Sequence, residues 1–444
     1  MARIPQEQAD RVLSELSARY RETKEAIPVS FRDLLAMPKE REKATHGIHA
    51  YPARLLVNIP SFFLSTSLSA VGDTVLDPFC GSGTVLLESI LANRNAIGAD
   101  SNPLARLITK TKTTRINQDS LRVARKSLVS RLQLIDSNKV PDVLNVDYWY
   151  YPCIKRDLAK IYNSILKFRR NDIRDFFLTS FSACIKEVSL ADPRLSVPVK
   201  LKEKHSQNDS YTQSKIAERL KTLKKINTVE IFLKKVDDNI QRMHLLTEAN
   251  TASNLIDILH DARQMDSIID SSIDLIITSP PYLGAQKYIR ASSLSLTWLE
   301  LCKSNGLRDL ESKNIGREHY SKSDYFDYIA TGIAEIDNLI EVVRSTNPLR
   351  AHIAAQYINE MKEAIKEMSR VLKPGKHLVL VSGEGSLVGF KFRTPDYLAK
   401  LARDSGLRLC VSLVDTIRSR ALMTKRNKTA GKIDTETIMV FQKV

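Results

Sequence analysis

A serine, two prolines and a tyrosine follow a run of apolar residues in the middle of the chain. Residues 274–278 are typical of a buried strand, and directly after them come Ser279, Pro280, Pro281 and Tyr282. The exocyclic amino group of a nucleobase is a poor nucleophile because its lone pair is delocalised into the ring. The Ser279 side chain and the Pro280 carbonyl are hydrogen-bond acceptors that could polarise such an amino group. Two consecutive prolines fix the backbone, so the Pro280 carbonyl would be held in place. The Tyr282 ring offers a face on which an extruded base could stack.

A glycine-rich turn earlier in the chain is a candidate ligand site. Residues 73–78 predict a buried strand, and Gly81 and Gly83 precede an apolar helix over 84–92. Asp77 stands where a nicotinamide-binding fold has its first glycine, and the third glycine of that fingerprint is absent. Asp100 ends the next strand, over 96–100, where a carboxylate can accept hydrogen bonds from ribose hydroxyls. The pattern favours an adenosyl ligand over NAD and over a plain turn.

These two motifs must be positioned by one sheet. Strand, glycine turn, helix and strand form a βαβ unit, which predicts a parallel sheet. Ligands of open α/β sheets bind beyond the carboxyl ends of the strands, so we expect both motifs to face one crevice. Further predicted helices lie at the N-terminus and over 51–69, 119–136, 212–246 and 355–372. Further predicted strands cover 377–382, 407–417 and 436–443.

Composition limits the class of protein. The formal net charge is +16, which fits either a solvated basic surface or a polyanionic partner whose phosphates release counterions on binding. No apolar run approaches the length of a membrane span, and the N-terminal residues lack the apolar core of a signal peptide. The 5 cysteines form no CxxC pair, so we expect neither a zinc site nor disulfides. A cytoplasmic protein without membrane contact is predicted.

Residues 77–84 and 278–282 resemble the cofactor and catalytic motifs of the amino-group DNA methyltransferases, in that order along the chain. Residues 46–56, 98–105, 260–262 and 418–437 resemble further segments of the same family. The resemblance implies S-adenosylmethionine as cofactor, duplex DNA as substrate, extrusion of the target base and direct methyl transfer, with the leftover proton going to solvent. The serine form of the catalytic motif is commonest among cytosine-N4 enzymes, so we expect that target, with adenine N6 as the alternative.

The resemblance also assigns the site residues. The expected catalytic residues are Ser279, Pro280, Pro281 and Tyr282. The expected cofactor-binding residues are Tyr51, Pro52, Asp77, Pro78, Phe79, Cys80, Gly81, Ser82, Gly83, Thr84, Asp100, Ser101, Asn102, Asp261, Ala262 and Thr278. The expected DNA-binding residues are Lys287, Arg290, Arg418, Arg420, Lys425, Arg426 and Lys428. No metal ligand is expected.

The expected fold is α/β, with a Rossmann-like methyltransferase sheet, an antiparallel last strand and a mostly helical inserted lobe. An N-terminal helical segment covers 1–45, and the catalytic core is divided among 46–136, 255–283 and 351–444. The basic helical insertion 137–254 is expected to recognise the DNA target, and 284–350 forms a second helical insertion. For both insertions the alternative is a helical packing layer.

Three other activities are compatible with parts of the sequence. An RNA methyltransferase acting on guanine N2 shares similar motifs, but the segment before His46 is too short for the usual RNA-binding domain. Pro152-Cys153 matches the nucleophile of cytosine-C5 enzymes, but the Glu-Asn-Val partner motif is missing. An inactive DNA-binding subunit is disfavoured because both motifs are intact. A cognate restriction endonuclease is a candidate partner, and both a monomer and a dimer fit the sequence.

Overall fold

The computed structural model describes residues 4–34, 44–52, 54–134, 139–201, 210–249, 252–283, 287–417 and 433–444. The strands in these ranges are β1 (Ile27–Pro28), β2 (Thr74–Asp77), β3 (Asn95–Ala99), β4 (Leu255–Leu259), β5 (Ile273–Thr278), β6 (Leu372–Gly383), β7 (Gly385–Leu387), β8 (Phe390–Phe392), β9 (Leu407–Thr416) and β10 (Thr435–Lys443). Eight of them form one sheet in the order β1-β9-β10-β6-β5-β2-β3-β4, and β7 pairs with β8.

The pairing confirms the predicted sheet. Strand β2 is parallel to both β3 and β5, and β5 is parallel to β6. Strand β10 is antiparallel to β6 and to β9, as expected for the last strand. Because β5 and β2 are neighbours, the two motifs that follow them emerge at the same edge of the sheet. Strands β1 and β4, which the sequence analysis did not identify, form the two outer positions.

The helices are α1 (Gln6–Thr23), α2 (Phe31–Leu34), α3 (Asn58–Phe63), α4 (Thr84–Leu91), α5 (Pro103–Thr113), α6 (Gln118–Leu134), α7 (Val146–Trp149), α8 (Pro152–Ile165), α9 (Asn171–Ile185), α10 (Ser210–Leu223), α11 (Thr228–Thr247), α12 (Tyr288–Trp298), α13 (Leu307–Ser312), α14 (Ala334–Arg344), α15 (Pro348–Val371) and α16 (Thr394–Asp404). A 3₁₀ turn spans Thr45–Gly47. None of the helices in the described ranges is long and apolar enough to cross a membrane.

Alternate residues of the central strands pack into two hydrophobic cores, one on each face of the sheet. Val75 of β2 and Leu275 of β5 pack with the phenylalanines of α2 and α3 on one face. Leu76 and Ile276, one residue further along each strand, pack with α14, α15 and α16 on the other face. This period of two, with both faces covered, explains why the central residues of both strands are apolar. The catalytic motif therefore lies on a rigid, doubly covered sheet.

Three helix predictions need correction. The helix expected over 51–69 covers only Asn58–Phe63, because a residue before proline, such as Tyr51, disfavours helical backbone. The helix expected over 212–246 is divided into α10 and α11, because the Asn227 side chain accepts from the Glu230 N–H and starts a new helix. The helix expected over 355–372 begins earlier, at Pro348, because the Asn347 side chain caps it. The sequence analysis did not identify helix α5.

The insertion after α6 forms a helical lobe around an aromatic cluster. Phe176, Phe177 and Phe181 of α9 pack with Phe232 of α11 and with Trp298 of α12. This cluster is continuous with apolar residues of α5 and α6, so the lobe is fixed to the sheet domain. The predicted lobe is therefore helical, and it also serves as a packing layer. Its role in target recognition remains a prediction.

Candidate active site

The glycine turn after β2 is held in shape by its backbone. Gly81 and Gly83 both adopt positive φ, +49° and +72°, which favours glycine. A Cβ atom at Gly83 would lie 2.8 Å from the Thr109 side chain, so this position excludes other residues. The Cys80 N–H donates to the Ala99 carbonyl at 2.9 Å and joins the turn to β3. The turn is thus a preformed cradle at the start of α4.

Asp100 connects this turn to the next strand end. Its carboxylate accepts from the Gly81 N–H at 3.0 Å and from the Asn102 N–H at 2.8 Å. Burial raises the pKa of Asp100 to about 6, although these two N–H groups favour the ionised form. The Tyr51 hydroxyl accepts from the Asn102 side chain at 3.1 Å, which brings the 46–56 segment to the same place. Three separated stretches of sequence therefore meet around one carboxylate.

A hydrogen bond joins the two motifs beneath the crevice. The Thr278 hydroxyl donates to the Asp77 carboxylate at 2.7 Å, and both residues are buried. The Phe79 N–H also donates to Asp77, at 3.1 Å. Burial nevertheless raises the pKa of Asp77 to about 7. Asp77 and Thr278 thus support the site from below.

The catalytic loop is fixed at several points. The Tyr357 hydroxyl of α15 donates to the Pro281 carbonyl at 3.0 Å. The Tyr282 hydroxyl lies 3.4 Å from the Ser279 Oγ and 3.0 Å from the Glu436 Oε1. The Tyr282 ring covers Gly383, where a Cβ would lie 3.1 Å from a ring carbon. Residues from β6, β10 and α15 therefore determine where Ser279 and Tyr282 lie.

One crevice is lined by more than half of the predicted catalytic and cofactor-binding residues. Its volume is about 660 Å³ including space open to solvent. The predicted residues that line it are Tyr51, Pro78, Phe79, Gly81, Asp100, Ser101, Asn102, Asp261, Ala262, Ser279 and Pro281. The glycine turn and the catalytic motif thus do face one crevice, as expected.

Other predicted residues lie outside that lining. Those buried around it are Asp77, Cys80, Ser82, Gly83, Thr84, Thr278 and Pro280. Pro52 and Tyr282 are half-buried and do not line it either. Once Gly83 starts α4, the helix points its next side chains into the core, and a cofactor contact at these residues stays a prediction.

The predicted adenine contact is shared with an arginine. Asp261 lines the crevice, but its carboxylate also accepts from Arg263 at 2.7 and 3.0 Å in a bidentate pair. Arg263 in turn lies 3.3 Å from Glu360 of α15. An adenine amino group bound here would therefore meet a carboxylate whose orientation is already fixed.

The predicted DNA contacts are described only in part. Arg290 is exposed on α12. Lys287 forms an ion pair of 3.0 Å with Glu318, which also pairs with Arg350 at 3.3 Å. Arg418, Arg420, Lys425, Arg426 and Lys428 lie outside the described residues. Cys153, the alternative nucleophile, is exposed on α8 and does not line the crevice.

Several site residues were not assigned from the sequence. Tyr288, Lys313, Asn314 and Ile315 also line the crevice. Three of these belong to short segments, 288–290 and 314–316, that a comparison of motifs could have identified. Lys112 is fully buried, its Nζ lies 3.4 Å from the Ser82 Oγ, and burial lowers its pKa to about 7. Nothing in the sequence near Lys112 indicated that it would lie under the turn.

Comparison with known proteins supports the resemblance. A family model of N6/N4 methyltransferases, described as a DNA methylase, matches residues 7–111, which include the glycine turn and Asp100. The Type II methyltransferase M.MvaI of Kocuria varians is 22% identical over 428 residues, covering 91% of this chain and 90% of that protein. Residues 7–111 are therefore similar to the N6/N4 amino-group DNA methyltransferases, and most of the chain is similar to a Type II methyltransferase.

Further relatives share parts of the chain. The Type II methyltransferase M.MjaII of Methanocaldococcus jannaschii is 30% identical over 181 residues, covering 41% of this chain and 28% of that protein. A solved S-adenosylmethionine-dependent methyltransferase from Methanosarcina mazei aligns over 85% of this chain and 95% of its own, with 12% identity and a TM-score of 0.30. The fold assignment therefore comes from the strand order and strand directions of the sheet.

Proposed function

We propose that this methyltransferase acts on the N4 amino group of cytosine at a specific site in duplex DNA. The observation that carries the proposal is Ser279, which lines the same crevice as Gly81 and Asp100. Among the amino-group DNA methyltransferases, a serine at this position is typical of cytosine enzymes. Adenine N6 is the alternative target.

The residues that line the crevice fit S-adenosylmethionine. Asp100 would accept hydrogen bonds from the ribose hydroxyls, and Asp261 with Ala262 would contact the adenine. Gly81 allows close approach of the backbone, and Tyr51 packs beside it at the methionine end. The bound cofactor supplies an electrophilic methyl group on its sulfonium. Negative charge from Asp100 would also favour that cation.

The catalytic loop would polarise the target amino group. Ser279 Oγ and the Pro280 carbonyl would accept hydrogen bonds from the two N–H groups, which localises the nitrogen lone pair. The Tyr282 ring would stack on the extruded base. Because Tyr357 fixes the Pro281 carbonyl, these acceptors are positioned before the substrate arrives, which reduces the cost of orientation.

Duplex DNA would bind across the open side of the crevice. Arg290 is a candidate phosphate contact among the described residues, and the basic residues of 418–428 are the other candidates by sequence. The helical lobe between α6 and β4 is the proposed recognition module. Both relatives named above are called Type II methyltransferases, so a cognate restriction endonuclease is a candidate partner.

Methyl transfer from a labelled cofactor tests the proposal directly. The purified protein should label duplex DNA and leave RNA unlabelled. Ser279→Ala should lower turnover on the order of a hundredfold or more by removing a fixed polar group, while cofactor affinity stays near normal. Ser345→Ala, an exposed serine at the end of α14, is the matched control and should retain full activity. Labelling of RNA, or a parallel loss of cofactor affinity in Ser279→Ala, would contradict the assignment.

A further inference from the structure

The Tyr282 hydroxyl lies between a predicted catalytic residue and a distant glutamate. It donates to the Glu436 Oε1 at 3.0 Å, and the Ser279 Oγ lies 3.4 Å away on the other side. With the Tyr282 proton directed at Glu436, the Tyr282 oxygen can accept from Ser279 at the long end of the hydrogen-bond range. The three groups thus form a chain of hydroxyls that ends on a carboxylate.

Glu436 is held in place by the sheet. It lies near the start of β10, opposite Gly383 of β6 and Asp415 of β9. Gly383 has no side chain, and this leaves room for the Tyr282 ring to reach across β6. The contact between Tyr282 and Glu436 therefore depends on two strands and on a glycine between them. A Cβ atom at Gly383 would lie 3.1 Å from the Tyr282 ring, so a side chain there would crowd the ring.

The charges around Glu436 favour proton uptake. Burial raises the pKa of Glu436, the neighbouring Asp415 raises that pKa further, and the hydrogen bond from Tyr282 lowers it. Burial and Glu436 also raise the pKa of Tyr282, with Tyr288 adding to the effect. A carboxylate with a raised pKa is a stronger base than an ordinary glutamate, which suits a group that receives a proton during turnover.

We propose that Glu436 takes up, through Tyr282 and Ser279, the proton that the target amino group loses on methylation. Glu436 acts through the other two residues and does not touch the base. This inference rests on the proposed function, since it needs an amino group bound at Ser279. It replaces direct loss of the proton to solvent with a defined path.

The step balances in atoms and charge. A nitrogen–methyl bond forms as the sulfonium–methyl bond breaks, and the amino nitrogen becomes positively charged. One N–H proton then moves to the Ser279 oxygen as the Ser279 hydroxyl proton moves to Tyr282. The Tyr282 hydroxyl proton moves to Glu436, which becomes a neutral carboxylic acid. Glu436 later releases its proton to water, and all three groups return to their starting states.

Glu436→Gln separates this role from a structural one. The glutamine oxygen still accepts from Tyr282, so the ring stays in place, but the amide cannot take up a proton. We expect the single-turnover rate of base methylation to fall at least about tenfold, in line with the loss of a general base. Affinities for cofactor and DNA should remain unchanged. Glu341→Gln, an exposed glutamate on α14, is the matched control and should keep the normal rate.

The pH profile supplies a second readout. With saturating cofactor and DNA, the wild-type rate should fall at low pH as Glu436 becomes protonated. Asp77 and Asp100 also titrate in this region, with pKa values raised to about 7 and about 6. Their effects persist in Glu436→Gln, so the difference between the two profiles isolates Glu436. We expect the methylation rate of Glu436→Gln to fall less steeply at low pH than the wild-type rate, because Glu436 no longer titrates in the variant.

Tyr282→Phe keeps the ring and removes only the hydroxyl. It should show the same fall in rate, and the double variant with Glu436→Gln should be no slower than either single variant. An active wild type with a Glu436→Gln rate within about twofold of normal, or additive losses in the double variant, would overturn the inference alone. A wild type that methylates no DNA at any pH would overturn the proposed function, and this inference with it.

Discussion

The Thr278 hydroxyl donates a 2.7 Å hydrogen bond to the Asp77 carboxylate, although 201 positions separate the two residues in the chain. Thr278 precedes the catalytic serine, and Asp77 opens the glycine turn. Because both residues are buried, this bond fixes the distance between the cofactor cradle and the catalytic loop. Alignment of a methyl donor with an amino group depends on that distance.

Thr278→Val tests the bond that joins the motifs. The variant leaves a buried carboxylate without one of its donors, so the free energy of unfolding should fall by about 1–3 kcal/mol. The loss should be larger at pH 8 than at pH 6, because the Asp77 pKa is raised to about 7 and the hydroxyl stabilises the ionised form. Urea unfolding at both pH values measures it. Thr297→Val, whose hydroxyl bonds only within α12, is the control and should show no such pH difference.

Gly83→Ala should damage the cradle more than Gly72→Ala does. Both glycines have positive φ, so each substitution adds backbone strain of about 1 kcal/mol or more. Only at Gly83 would the new Cβ also collide with Thr109, at 2.8 Å, whereas nothing lies within 4 Å at Gly72. Thermal unfolding and cofactor titration compare the two variants. Equal stability and equal cofactor affinity in both would contradict the described packing of the turn.

Cofactor affinity should weaken as the pH falls through about 6. Asp100 has a pKa raised to about 6 by burial, and its ionised form is the better acceptor for ribose hydroxyls. Protonation below that pH therefore removes acceptor capacity and negative charge. Calorimetric titration of the cofactor between pH 5 and 8 measures the effect. Asp100→Asn should bind weakly with a flatter pH dependence, whereas the exposed Asp257→Asn should behave as the wild type does.

Arg290→Ala should weaken DNA binding without changing cofactor binding. Loss of one phosphate contact should reduce the salt dependence, the slope of log K against log salt, by about 1. Fluorescence anisotropy with duplex DNA over a range of salt concentrations measures this slope. Arg11→Ala, an exposed arginine of α1, provides the comparison. An unchanged slope in Arg290→Ala would place the DNA elsewhere.

Local signals predicted the strands and turns that carry the site. The apolar strand before Ser279 and the glycines after Asp77 are short-range patterns, and sheet topology then places both at one edge. The break between α10 and α11 was missed even though Asn227, three residues before Glu230, is a capping signal. Chain-local patterns were therefore sufficient for most of the sheet and for the two motifs.

Long-range partners could not be predicted in the same way. Glu436 reaches Tyr282 from 154 residues away, and Tyr357 reaches Pro281 from 76 residues away. Neither residue belongs to a pattern with a chemical meaning of its own. The sequence shows Arg263 two residues after Asp261, but the bidentate hydrogen bonding between these side chains depends on the backbone conformation. Such contacts are decided by tertiary packing, and a single sequence does not encode them locally.

Nucleoside mass spectrometry of genomic DNA tests the central claim most directly. The protein is expressed in a methylation-deficient bacterial host, beside Ser279→Ala expressed to the same level. We expect N4-methylcytosine in DNA from cells with the wild-type protein and none in DNA from the Ser279→Ala cells. N6-methyladenine without N4-methylcytosine would contradict the cytosine assignment, and unmodified DNA with both proteins well expressed would contradict the proposed function.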